Sequence, residues 1–138
     1  MPGYSGTPLP KKLGIKDGFR VCLIGAPDDV CAQLKASLSK CVVSKDGKAP
    51  LDFAILFTKA SASLITEFTR LAKQLAPAGM LWVSWPKKTS GVRTDLNENI
   101  VRDIGLAAGL VDVKVCAVTE IWSGLKFVRR LKDRCASG

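Results

Sequence analysis

Three features of the sequence predict an α/β fold, a mostly parallel sheet held between two layers of helices. The runs 19–24 (FRVCLI), 51–57 (LDFAILF) and 80–85 (MLWVSW) are short and almost wholly apolar, as strands covered on both faces are. Between them lie stretches with apolar residues at helical spacing, the pattern of a helix with one buried stripe. Beyond residue 110 the period becomes that of half-exposed strands. Parallel strands need helical crossovers, and the chain provides one in each interval.

The elements follow in order. Residues 1–12 (MPGYSGTPLPKK) carry three prolines and two glycines without periodicity and read as an extended arm or short cap, with Tyr4 as a contact to the body. The expected organisation is an arm over 1–18, one α/β domain over 19–131 and a flexible, frayed tail over 132–138. After the first strand Gly25-Ala26-Pro27 turns the chain. Pro27 suits a first helical turn, Asp28 and Asp29 suit its positive end, and Val30, Leu34 and Leu38 form the buried face. Residues 41–43 are a candidate short strand, and 44–50 a loop. Following the second long strand, Ser61 is expected to cap a helix whose Leu64, Phe68, Leu71 and Leu75 face inward. Pro77-Ala78-Gly79 is expected to end that helix and open the third strand, which Pro86 stops because proline cannot donate to a sheet ladder. Asp95, with Glu98 three residues on, resembles a capping box for a helix bearing Leu96, Ile100, Ile104 and Ala108, with Gly109 as its stop. Residues 111–118 alternate Val111, Val113, Val115 and Ala117 with Asp112, Lys114 and Cys116. Residues 121–131 alternate for part of their length, and Thr119-Glu120 between them predicts an antiparallel hairpin. The whole is a three-layer, Rossmann-like α/β fold.

A chain of 138 residues is one domain, long enough to bury roughly 68% of its unfolded surface. Its net charge of +9 favours an anionic ligand, an acidic partner or a polyanion, or serves solubility alone. Histidine is absent, which removes Ser-His-Asp and Cys-His catalysis, the His-Glu-x-x-His motif and Cys/His zinc fingers. Cys22, Cys31, Cys41, Cys116 and Cys135 are odd in number and never form a C-x-x-C pair, so they read as reduced, buried thiols of a cytoplasmic protein. No apolar run approaches the length of a membrane span.

Ligands of open α/β sheets bind beyond the carboxyl ends of the parallel strands. Here those ends carry Lys59 and Ser61 after the second long strand, and Lys87, Lys88, Thr89 and Ser90 after the third. An antiparallel last strand beside the third would bring Trp122 and Ser123 to the same edge. Lysines and helix amino ends favour an anion, and an aromatic face stacks on a base or sugar. These eight residues are the candidate ligand site; two lysines after a strand, taken alone, read first as an ordinary solvated loop, and it is the convergence of three loops that favours a site. No catalytic residue is assigned. Asp28 suits a helix start better than a general base, and Ser84 and Ser90 have no histidine to activate them. Lys87-Lys88-Thr89 lacks the glycines of a phosphate-binding loop. Trp82 and Trp85 have opposite strand parity and are expected in the core.

The order of elements, with 12–21 (KLGIKDGFRV) before the first strand and 75–83 (LAPAGMLWV) at the third, resembles class I methyltransferases that use S-adenosylmethionine. That resemblance implies a glycine-rich turn after the first strand and an acid at the end of the second. This chain has Gly25 followed by Ala26-Pro27, and Cys41-Val42-Val43-Ser44 holds no carboxylate. Gly3-Tyr4-Ser5-Gly6-Thr7-Pro8-Leu9, Lys11-Lys12-Leu13-Gly14-Ile15, residues 82–91 and Trp122-Ser123-Gly124-Leu125-Lys126 resemble the bacterial domain-of-unknown-function family 3052 over nearly the whole chain. The resemblance implies a small methyltransferase-like fold in a bacterial cytoplasm and brings no catalytic residues. The family pattern has an acid and a hydroxyl where this chain has Thr119 and Ile121, so these two receive no role.

The expected function is a non-catalytic binding module for a small anionic ligand such as a nucleotide, with no cofactor and no metal. Nucleic-acid or acidic-partner binding through the basic surface ranks second, because no basic strand is rich in aromatics. A divergent methyltransferase ranks third. No membrane partner is expected.

Overall fold

The computed structural model describes residues 7–48 and 50–135. Six strands form one sheet in the order β2-β1-β3-β4-β6-β5, with β1 (Arg20–Ile24), β2 (Val42–Val43), β3 (Leu51–Phe57), β4 (Leu75–Pro86), β5 (Leu110–Ala117) and β6 (Trp122–Arg129). The first four run parallel, and β6 lies antiparallel between β4 and β5. The expected mostly parallel sheet and terminal hairpin are therefore present, as is the short strand at 42–43.

Strand alternation divides the interior in two. Ala54, Leu56, Leu81, Val83, Trp85 and Phe127 point to one face, where α3 (Ser61–Ala72) and α4 (Glu98–Ala107) cover them. Val21, Phe53, Ile55, Phe57 and Trp82 point to the other, covered by α1 (Leu9–Leu13) and α2 (Asp28–Leu38). Trp82 and Trp85 of β4 are both core residues, and their opposite parity puts them in different cores. Phe68 of α3 meets Phe127 of β6 edge to face, with ring centroids 5.1 Å apart.

Several local expectations are corrected. Of the two readings of the segment before β1, an extended arm or a short cap, residues 9–13 take the second: Leu9 and Leu13 are buried, and the Trp82 indole donates to the Leu13 carbonyl across 2.9 Å. Apolar side chains at the ends of a single helical turn outweigh the loop-like composition around them. Tyr4 lies outside the described residues. Residues 131–135 form a short helix, α5 (Leu131–Cys135), where fraying is expected from residue 132; the rest of that tail, 136–138, lies outside the described residues. Helix α3 stops at Ala72, and Leu75 begins β4; Pro77-Ala78-Gly79 is an irregularity inside that strand, between the pairings Leu51–Leu75 and Phe53–Met80. Asn97, whose side chain accepts from the Ile100 amide at 2.9 Å, caps α4 in place of Asp95. In β5 the valines do not form the inward row: Val113 and Val115 are 54% and 51% exposed, because the strand is the sheet edge and is bulged. Cys22, Cys31, Cys41 and Cys116 are free thiols, but Cys31 is exposed, and Cys41 and Cys116 are only half-buried. Among the described residues no helix is long and apolar enough to cross a membrane.

Candidate functional site

The carboxyl ends of β1, β3 and β4 open on one edge, since Ile24 stands level with Leu56 and Phe57 with Ser84. Trp122 stands opposite Pro86, so β6 starts at the same edge. The shared rim that the site required is in place.

Past Pro86 the chain makes a single 3-10 turn, Lys88–Ser90, closed by Gly91 at φ 77°. Ser90 builds this turn: its hydroxyl donates to the Lys87 carbonyl at 2.6 Å and accepts the Val92 amide at 3.2 Å. The chain then crosses to the start of α3 and is clamped there. The Thr94 hydroxyl donates to the Lys59 carbonyl at 2.6 Å, and the Asp95 amide reaches the same oxygen at 3.3 Å. The Asp95 carboxylate accepts the Ser61 amide at 2.8 Å and the Ser61 hydroxyl at 2.7 Å. The expectation that Ser61 caps α3 is thereby corrected; Asp95, from a distant part of the chain, satisfies the free amide at that helix start. The hydrogen bonds from the Ser61 hydroxyl and then its amide hold the Asp95 carboxyl below the usual carboxylate range.

That depressed pKa carries a prediction. Asp95 stabilises the clamp above the unfolded carboxylate pKa, and the contribution is lost as pH falls through its lower folded value. Asp95→Asn should lower the melting temperature at neutral pH and flatten the acid side of the melting temperature against pH. Identical profiles for the two proteins would show that the clamp does not form.

Behind the clamp lies a cleft of about 660 Å³. Trp85 and Leu96 form its floor, Lys87, Lys88 and Arg93 its rim, and Asn97 and Glu98 at the amino end of α4 one wall, with Ser123 opposite. Lys87, Lys88 and Arg93 make no ion pair with any described residue. Glu98 is neutralised by Arg102 at 2.6 Å, which also binds Asp112 at 2.9 Å. Both hydrogen bonds raise the Arg102 pKa. The cleft therefore offers positive charge, a helix amino end and an apolar floor, a combination suited to an anion carrying a flat apolar part.

Of the eight residues read from the sequence, Lys87, Lys88 and Ser123 line this cleft. Lys59 and Ser61 serve its frame, Lys59 through its backbone and Ser61 through Asp95. Thr89 and Ser90 sit in the turn behind the rim. Trp122 is separated from the others: it packs edge to face on Phe57, 5.3 Å away, on the α1/α2 side of the sheet. Neighbouring residues of a strand point to opposite faces, so Trp122 and Ser123 cannot share a pocket. Sequence reasoning misses Thr94 and Asp95 because their role depends on contacts with Lys59 and Ser61, more than thirty positions earlier, and it misses Arg93 because only the fold brings that side chain to the cleft beside Lys87 and Lys88.

The fold is that of class I methyltransferases using S-adenosylmethionine. A SAM-dependent methyltransferase from Aquifex aeolicus superposes with a TM-score of 0.61 at 17% identity, covering 85% of either chain. Magnesium protoporphyrin IX methyltransferase of Synechocystis PCC 6803 with bound SAH gives 0.56 at 13% identity, covering 83% of this chain and 75% of that one. The fibrillarin pre-rRNA processing protein of Methanococcus jannaschii gives 0.53 at 9% identity, covering 91% and 70%.

The residues present do not fit the cofactor this fold implies. Gly25, at φ 70°, is the lone glycine of the turn after β1, and a Cβ there would lie 2.8 Å from the Phe57 carbonyl oxygen. The left-handed backbone and the close approach of Phe57 both require glycine there. β2 ends level with Val21, well short of Ile24, and places no carboxylate beside the end of β1. Asp46, the next acid along, is spent on the Ser44 hydroxyl at 3.1 Å and the Lys48 ammonium at 3.7 Å of its own loop.

No curated protein matches the sequence. Residues 10–131 match the family described as protein of unknown function (DUF3052), and the chain belongs to that family.

Proposed function

We propose that the protein is a non-catalytic, Rossmann-like binding module that holds an anionic ligand such as a nucleotide, in a bacterial cytoplasm. The observation that carries this reading is the cleft at the end of β4, where Lys87, Lys88 and Arg93 surround the amino end of α4 without an ion-pair partner among the described residues. Three cations held together cost stability unless an anion answers them, and Glu98, the carboxylate in the wall, already belongs to Arg102. The volume is that of a small-molecule site. No nucleophile–base pair among the described residues faces the cleft, which favours binding over catalysis.

Thermal shift against nucleoside phosphates and phosphorylated metabolites is the test. A ligand at a hundred times its dissociation constant should add about 2.7 kcal/mol. Lys88→Ala with Arg93→Ala should remove the shift. No shift across the panel, or one that survives the double substitution, would refute the reading. S-adenosylmethionine belongs in the same panel and should leave the melting temperature unchanged; a shift with it would restore the methyltransferase reading that the fold invites.

A further inference from the structure

A second group of cations lies on the opposite face of the sheet, away from the cleft. In the pairing of β5 with β6, Lys114 stands directly opposite Lys126, and on the other side of β6 Lys126 stands opposite Trp82. Residues paired across antiparallel strands point the same way, so both lysines lie on the Trp82 face, beside α1. A bulge puts them there. The register shifts between Asp112 and Lys114; without the shift Val113 would stand opposite Lys126. Such bulges re-aim side chains, and here the displaced valine is left 54% exposed.

Like charges directly opposite each other in a sheet are destabilising, and no described carboxylate forms an ion pair with either lysine. The Lys126 side chain makes no hydrogen bond or ion pair with a described residue. Burial first, and Lys114 second, lower its pKa. The Lys114 ammonium donates at 3.4 Å to the Lys12 carbonyl, in the last turn of α1. Burial raises the pKa of the neighbouring Cys116 thiol, while Lys12, Lys114 and Lys87 act against that rise. The positive field thus extends from the end of α1 across the hairpin to the rim at Lys87. A strand irregularity, an exposed valine and a half-buried lysine facing another lysine are costs that a purely structural hairpin would not retain.

We propose that Lys114 and Lys126, flanked by Lys12, bind the phosphodiester backbone of a nucleic acid. A polyanion is favoured over a single phosphate because Lys114 and Lys126 stand side by side on adjacent strands with Lys12 of α1 next to Lys114, and further positive charge is spread over the whole chain. The site is on the other side of the sheet from the cleft and does not depend on the nucleotide reading.

The test is fluorescence anisotropy of a labelled oligonucleotide over a range of salt, with inorganic phosphate and phosphatidylserine vesicles as parallel probes. The wild type should bind the oligonucleotide, with log affinity falling linearly against log salt. Lys114→Met with Lys126→Met should reduce that slope by about 1.4–1.8, two phosphate contacts' worth. Lys35→Met with Lys73→Met, which removes the same charge elsewhere, should leave the slope near its wild-type value. The Lys114/Lys126 double variant should also melt higher than wild type without nucleic acid, because its repulsion is gone while the aliphatic packing remains. An unchanged slope, an equal loss in the charge-matched control, or a lower melting temperature would overturn the proposal. So would binding to the vesicles alone, or saturation of the pair by inorganic phosphate at concentrations that leave the oligonucleotide unbound.

Discussion

Trp82→Ala should cost the fold about 3–5 kcal/mol, the range for removing a fully buried large aromatic side chain, measured as a fall in the urea midpoint. Trp82 is 0% exposed in the middle of the α1/α2 core, between Ile55 on β3 and Lys126 on β6. Its loss does more than leave a cavity. The indole hydrogen bond to the Leu13 carbonyl, 2.9 Å long and buried, secures α1 to the sheet, and its removal leaves that carbonyl unsatisfied. Limited proteolysis should therefore cut earliest between α1 and β1 in the variant. Trp82→Phe separates the two effects: most of the ring is kept, and the loss should fall to about 1–3 kcal/mol, chiefly that of the unpaired buried carbonyl. With a total stability of about 5–15 kcal/mol for a domain of this kind, the alanine variant should be close to unfolding. A loss of less than about 1 kcal/mol would contradict the packing described.

Gly105→Ala has the second largest expected effect and the more informative sign. Intrinsic helix propensity favours alanine over glycine inside a helix by about 1 kcal/mol, so on local grounds the change should stabilise α4. The structure reverses this. An added Cβ at Gly105 would run into the Phe127 ring, meeting Cε2 first, with Cζ at 2.5 Å and Cδ2 at 2.6 Å. Phe127 is fully buried and locked against Phe68, so its ring cannot move aside without disturbing the α3 contact. Overpacking of about 1–3 kcal/mol, set against the propensity gain, should leave a net loss of up to about 2 kcal/mol by urea denaturation. Gly105→Val should lose more. A stabilised Gly105→Ala protein would mean that α4 rides further from the sheet.

These two positions differ in how far the sequence exposes their roles. Trp82 is legible as core because it sits in an apolar run with Trp85 at opposite parity, and alternation sends the two to different faces wherever that strand lies. Gly105 is not, since a glycine inside a helical period looks like a weakness until the ring it admits is known. The same division holds at the cleft. Lys87 and Lys88 are readable because Pro86 must end a strand and release the next residues at the sheet edge. Asp95 reads locally as a cap for the helix after it, because spacing along the chain cannot reveal a Ser61 amide thirty-four positions away.

The sequence by itself determined whatever depends on neighbours along the chain. Continuous apolar runs are buried on both faces, helical spacing makes crossovers, and the two together require a mostly parallel sheet with its basic outlets at one end. The tertiary structure decided whatever depends on neighbours across it: that Leu9 and Leu13 turn a proline-rich segment into part of the core, that Trp122 faces away from Ser123's cleft, and that a bulge sets Lys114 beside Lys126. The physical reason is one of range. Backbone preference and side-chain period act over a few residues, whereas charge, close packing and the satisfaction of buried polar groups act between whatever atoms the fold brings together.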